Sequence, residues 1–306
     1  MPYRLKDDET LGEGLVRVAR EQADRALESL EGEGELGPRV HDARKRFKKI
    51  RAVLRLLRST LGTSAFEREN DCYRSLGHLL GPYREGAVRV ESVQALFREE
   101  GGRIAPETWV AVHDRLEQAR PQVREEPGSD SPLETAARTL REARARMEEW
   151  PRPENDFDAV ADDLERIYRK GRKRLARAEK ENTAEAHHDW RKRVKDLRYH
   201  QRILRPVWPG VLEAERDEAK RLTDLLGTAH DMADLGHFLT HADPPPVKHE
   251  EFARLLDLID ARRLTLEAEA RRLGARIYAL KPKAHIRRMR TCYETWRGEI
   301  ARPVMD

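Results

Sequence analysis

Apolar residues recur along almost the whole chain at the three- and four-residue intervals of amphipathic helices, and no stretch alternates convincingly with the two-residue period of a strand. The spacing predicts a first helix over about 9–31, closed by the Gly-rich run Glu31-Gly32-Glu33-Gly34-Glu35-Leu36-Gly37-Pro38. A second helix runs to Leu61-Gly62, a third to Leu80-Gly81-Pro82, and a fourth through about Glu100. Ser131-Pro132-Leu133-Glu134 reads as a capped start, with Ser as N-cap, Pro at the first helical position and Glu closing a capping box. That helix ends at Trp150-Pro151-Arg152-Pro153, the expected boundary between an N-terminal half (1–150) and a C-terminal half (154–306). The second half is expected to hold helices near 156–181, 184–205, 211–228 and 230–241, a rigid Asp243-Pro244-Pro245-Pro246 connection, and two final helices near 248–277 and 282–300. Amphipathic helices with short links pack as bundles, so the fold class is all-α.

The two halves repeat each other. His41-Asp42-Ala43-Arg44-Lys45-Arg46-Phe47-Lys48-Lys49-Ile50-Arg51 returns as His188-Asp189-Trp190-Arg191-Lys192-Arg193-Val194-Lys195-Asp196-Leu197-Arg198. Each copy is followed by a second shared signature, Leu79-Leu80-Gly81-Pro82-Tyr83-Arg84-Glu85 and then Leu225-Leu226-Gly227-Thr228-Ala229-His230-Asp231. A whole multi-helix unit has been duplicated. At about 100° per residue, His41, Arg44, Lys45, Lys48, Arg51 and Arg55 fall within an arc of roughly 120°. Ala43, Phe47, Ile50, Leu54, Leu57 and Leu61 take the opposite side. The second copy sets His188, Arg191, Lys192, Lys195, Arg198 and Arg202 against Trp190, Val194, Leu197, Ile203 and Leu204. Like charges at i, i+4 cost a few tenths of a kcal/mol per pair, so a single-sign stripe is unfavourable unless something anionic lies against it.

Composition sharpens that point. Lys and Arg (60) nearly cancel Asp and Glu (56), leaving a formal net charge of only +4 in 306 residues, so the cationic character lies in its placement. Positions 41 to 58 carry eight Lys or Arg and one acid, Asp42, which creates a local field able to hold a polyanion. Cys72 and Cys292 have no metal-ligand spacing and agree with a reduced compartment. The N-terminus has no apolar leader core and no eighteen apolar residues run together, which leads to the expectation of a soluble, cytoplasmic protein with no membrane partner.

No phosphate-binding Gly-rich loop, nucleophile elbow or paired-Cys motif is present, and the chain offers no nucleophile or catalytic metal set. His41-Asp42, His188-Asp189 and His230-Asp231 are reminiscent of metal-dependent phosphohydrolases, but further His and Asp ligands cannot be assembled around them. His237 and His241 have i, i+4 spacing yet no supporting third ligand, and are read as surface histidines. The expectation is therefore a binding protein and not an enzyme, with no cofactor and no metal.

The stripe His-x-x-Arg-x-x-x-Lys-x-x-Arg, followed by Leu-Leu-Gly and an Arg-Glu or His-Asp pair, resembles the CHAD domain, the conserved histidine alpha-helical domain. The second copy is especially similar, through His188, Arg191, the run Lys195-Asp196-Leu197-Arg198-Tyr199, and Leu225-Leu226-Gly227 leading to His230-Asp231. Lys281-Pro282-Lys283-Ala284 with Arg287 and Arg288 resembles the family's last helix. The first copy departs from the pattern with Glu85 where the family usually has Asp.

The resemblance implies two pseudo-symmetric four-helix bundles with a central basic groove or pore that binds inorganic polyphosphate, in some members on polyphosphate granules. The two stripes would carry the binding, with Arg84 and His230 beside them. Arg20, Arg169, Arg172 and Lys173 on the first helix of each half are candidates for further phosphate contacts, as are Lys281, Lys283, Arg287 and Arg288 on the last. For His41 and His188, a structural hydrogen bond and direct donation to phosphate both stand open. A nucleic-acid-binding helical protein is the second reading, weakened because aromatic residues are only 6% and are not interleaved with the stripes, Tyr199 excepted. A metal-dependent polyphosphate hydrolase is the third.

Overall fold

The computed structural model describes residues 3–119, 131–153, 157–241 and 247–301, and among them the regular structure is entirely helical. The N-terminal half supplies α1 (Leu11–Glu31), α2 (Leu36–Leu56), the single turn α3 (Arg58–Leu61), α4 (Thr63–Leu79), α5 (Pro82–Glu100), α6 (Pro106–Gln118) and α7 (Pro132–Arg146). The C-terminal half supplies α8 (Asp158–Glu181), α9 (Ala184–Ile203), α10 (Pro209–Thr240), α11 (His249–Ile277) and α12 (Pro282–Ala301). No described helix is long and apolar enough to cross a membrane.

Local chemistry sets the ends. Ser131 and Glu134 form the expected capping box, each side chain serving the other's backbone N–H at 3.2 and 2.8 Å. Thr10 and Glu13 do the same for α1. Thr183 caps α9 and Asn182, left-handed at φ +48°, ends α8. The Asp243-Pro244-Pro245-Pro246 connection lies outside the described residues.

Two helix boundaries depart from the sequence reading, and one helix is additional to it. The basic helix of the first copy stops at Leu56 instead of reaching Leu61, because the Asp163 carboxylate of α8 accepts the Ser59 N–H at 2.8 Å and so caps a separate turn, which Gly62 ends at φ +75°. In the second copy, the two helices expected at 211–228 and 230–241 are one continuous α10. The aligned first-copy position is Pro82, which lacks an N–H and clashes with the preceding turn, so α4 and α5 are separate there. Thr228 supplies the N–H and the helix runs on. The helix α6 was not resolved by the periodicity at all.

Core residues of the predicted apolar faces are buried: Ala43, Phe47, Ile50, Leu54 and Leu57 on one basic helix, Trp190, Val194, Leu197, Ile203 and Leu204 on and just beyond the other, with Leu61 only partly covered. One apolar cluster joins α1, α2, α4 and α7 to the start of α8, the end of α9 and α12. A second lies between α5 and α6 and the pair α10 and α11, and a third inside α8 to α11. Trp190, fully buried in the third cluster, lies against the bare backbone of Gly274 on α11.

The two basic helices meet in antiparallel sense. Arg55 pairs with Asp196 at 3.3 Å, and His200 donates from Nε2 to the Ala52 carbonyl at 2.9 Å. The Tyr3 hydroxyl donates to the Lys49 carbonyl at 2.9 Å while its ring meets Tyr199 edge-on. Asp196 and Lys49 occupy aligned positions of the repeat with opposite charge. Asp196 gathers Arg55 and Arg193, whereas Lys49, 5% exposed, shares the Gln22 amide oxygen with Arg46 and has no carboxylate partner among the described residues. Burial first, then Arg46, Arg202 and Lys45, pushes the Lys49 ammonium down to about 7.

Two stability experiments follow. Gly274→Ala puts a methyl into the Trp190 ring and is expected to lower unfolding free energy by about 1–3 kcal/mol in urea titrations. An unfolded lysine titrates near 10.4. The unfolded chain therefore binds more protons than the folded one between about pH 7 and 10, stability rises with pH across that window, and the full penalty is present below 7. Lys49→Met should raise stability by roughly 2–4 kcal/mol at pH 6.5 and flatten that rise; an unchanged pH profile would show that the ammonium is not strained.

Candidate functional site

Helix α9 carries His188, Arg191 and Lys195 on successive turns of one face, and that face meets α10 at Gly227, His230 and Asp231. The glycine of the Leu-Leu-Gly signature has a steric reason. The Arg191 guanidinium lies on its backbone, and a Cβ there would stand 2.8 Å from Arg191 Nη2. Arg191 Nε is buried without a hydrogen-bond partner. Burial pulls the guanidinium's pKa down, opposed by Asp231 and Asp224.

Lys195, half-buried, forms no ion pair among the described residues. Burial holds its ammonium well below the ordinary value, and Arg191, Lys48 of α2 and Arg198 push it further, against Asp231. The influence of Lys48 shows that the two stripes come within electrostatic reach of each other at their midpoints. His188 and His230 stack with ring centroids 4.0 Å apart and planes 40° apart. Burial first, then His230, Lys192 and Arg191, pushes His188 down to about 3, while burial and Arg191, Lys195 and Lys192 push His230 down to about 4. Neutral imidazoles are metal ligands in other settings, but the cations Arg191, Lys192 and Lys195 beside this pair oppose a metal ion and favour an anion.

Other stripe residues divide by partner. Lys45 pairs with Asp42 at 2.6 Å and Lys192 with Asp189 at 3.0 Å, so the acid that follows each leading histidine steadies a lysine of its own helix. Both His-Asp pairs thus spend their carboxylates on ion pairs. His41 and Lys48 are exposed and Arg44 is half-buried. Arg198 lies over the Tyr199 ring at 5.6 Å, and exposed Arg202 over the Tyr3 ring at 5.8 Å. Arg51 donates to Asn70 at 3.1 Å and is pushed down to about 10 by burial and by Arg55. Arg55, tied to Asp196 and to the Arg51 carbonyl, is the stripe residue most occupied with the fold.

The candidates outside the stripes are scattered. Arg20 pairs with Glu148 at 2.8 Å and Arg169 with Glu165 on its own helix. Arg172 donates to the Leu280 carbonyl and Arg288 pairs with Glu215, while Lys173, Lys281, Lys283 and Arg287 are exposed. The Arg84 side chain lies outside the described residues. The sequence reading missed a second concentration of cations. Arg58, Arg166, Lys170 and Arg193 gather round Arg55, and together they depress the Lys170 ammonium, after burial. Asp163 and Asp196 neutralise only part of that charge. Arg193 is the one member inside the repeat; the others come from α3 and α8, and no spacing rule links them.

Cavities of about 630 and 500 Å³ open elsewhere, one beside the N-terminal segment and Trp296, one at Arg89, Arg115, Phe238 and the His237/His241 pair. In that pair the rings are 4.2 Å apart and His241 Nδ1 is bonded to the His237 carbonyl. Among the described residues no three His, Cys, Asp or Glu come together as a metal site.

No curated protein matches this sequence. The family model for the CHAD domain matches residues 17–240 of the 306, a span that holds both basic stripes, both Leu-Leu-Gly signatures and the stacked histidines, and the chain belongs to the CHAD family.

Proposed function

We propose that the protein binds inorganic polyphosphate along the seam where α2, α9 and α10 meet, without catalysis, and that the halves 1–150 and 154–306 act as one binding unit. The observation that carries this is the state of Arg191 and Lys195. Both are partly stripped of water, neither has an ion-pair partner among the described residues, and Lys195 faces Lys48 and Arg198 as well as Arg191. That arrangement is costly in the free protein and is relieved by an anion with many oxygens. Arg presents a planar fork for two phosphoryl oxygens and Lys a mobile point charge, a mixture that tolerates a chain sliding in register. The association of CHAD domains with polyphosphate supports the reading. The cations round Arg55 would extend the track, and targeting to polyphosphate granules is the cellular role this activity suits.

Nucleic acid fits less well. Tyr199, the one aromatic residue in a stripe, is 7% exposed, with Arg198 over its ring and Tyr3 against its edge, which leaves no platform for a base.

Calorimetric titration tests the proposal: affinity should grow with polyphosphate length until the seam is filled, and fall with added salt. Equal affinity for orthophosphate and long chains would overturn it. Arg191→Gln with Lys195→Gln should weaken long-chain binding at least about tenfold and make the salt dependence shallower by about two charges. The melting temperature of that variant should hold or rise, since two desolvated like charges are gone. Arg141→Gln with Arg254→Gln, two exposed ion-paired cations, should change binding little. Equal losses from both pairs would mean that only net charge is read.

A further inference from the structure

The histidine pair holds a feature that cation placement alone does not use. His188 Nδ1 is buried and has no hydrogen-bond partner, and the ring stacks on His230 across the joint between α9 and α10. Charged groups surround the pair from both helices. On α9 stand Asp189, Arg191, Lys192 and Lys195; on α10 stand Asp231 and Asp234. Of the three carboxylates, Asp189 is held by Lys192 at 3.0 Å and Asp234 by Arg89 of α5 at 2.7 Å, while Asp231 faces Arg191 and Lys195. The cations therefore dominate, and both imidazoles stay neutral in the free protein even in mild acid.

A polyanion laid on Arg191 and Lys195 opposes the cationic part of these influences. It offsets the three neighbouring cations, and it brings oxygens that accept hydrogen bonds from protonated imidazoles. We propose that bound polyphosphate draws protons onto His188 and His230, so that the site tightens as the solution acidifies. This rests on the polyphosphate reading above.

The sign is fixed by linkage. A group whose affinity for protons is higher in the complex strengthens binding as pH falls, by up to about tenfold per pH unit for each proton taken up. The gain ends below the free-protein values of about 4 and 3. The ligand cannot imitate this. Weakly acidic end groups of polyphosphate release protons when they meet a cationic surface, whereas the histidines take them up.

The test is calorimetry of the full chain with long-chain sodium polyphosphate at pH 7.5 and 5.5, in two buffers of different ionisation heat, which counts protons directly. Net uptake growing towards pH 5.5, with affinity at least about tenfold higher there, is expected. In His188→Gln with His230→Gln, uptake should vanish and the affinity ratio fall below about threefold. Binding by the wild-type chain with no net uptake overturns the proton coupling and leaves polyphosphate binding standing, whether or not the variant folds. Equal uptake in wild type and variant also overturns it, and no binding at either pH overturns both proposals.

Discussion

The structure depends on a conflict between burial and charge at α2 and α9. Each helix hides one side in a core, through Phe47 and Ile50 on one and Trp190 and Val194 on the other, and full burial of such side chains stabilises by roughly 1.5–3 kcal/mol apiece. The cations occupy the remaining sides, so packing the helices brings Lys48 and Lys195 towards each other. Repulsion at a screened, partly hydrated surface is a smaller quantity than the summed burial. The apolar faces win, and the cations are held together by a fold that does not need them there.

The two copies of the repeated sequence passage sit in different surroundings. Where Asp196 collects two arginines, its counterpart Lys49 meets, among the described residues, an amide oxygen and a tyrosine ring. The Leu-Leu-Gly signature is followed by a helix break in one copy and by an unbroken helix in the other, and the single exchange of Pro82 for Thr228 accounts for the difference. One side of the crossing is consequently locked by ion pairs while the other keeps surplus positive charge.

Much of this was legible in the sequence because it depends on periodicity and short-range chemistry. The single-sign arcs, the apolar faces and the Ser131 capping box involve residues within a few turns of one another. What escaped involves long-range partners. Asp163 reaching Ser59 could not be foreseen from α2, and so the basic helix was drawn a turn too long. The gathering of Arg166 and Lys170 round Arg55 depends on how α8 docks, and a spacing rule along one helix is blind to it. The Gly227 signature was visible as a pattern, but its meaning, room for an arginine, appears only when α9 lies beside α10. Lys45 and Lys192 are engaged within their own helices, by Asp42 and Asp189 three residues earlier, whereas the engagement of Arg55 appears only when Asp196 of α9 packs against it.

The continuity of α10 has a mechanical consequence. At 1.5 Å per residue its 32 residues form a rod of about 48 Å. Leu222 and Leu226 anchor it in one core, Met232, Leu235 and Leu239 in another, and His230 sits between the two anchorages. A load applied at that point is shared by both cores, with no hinge in between to yield. The wall of the seam is thus stiff in itself, and in the proposed complex the entropy lost on association would fall on a flexible ligand and little on the protein.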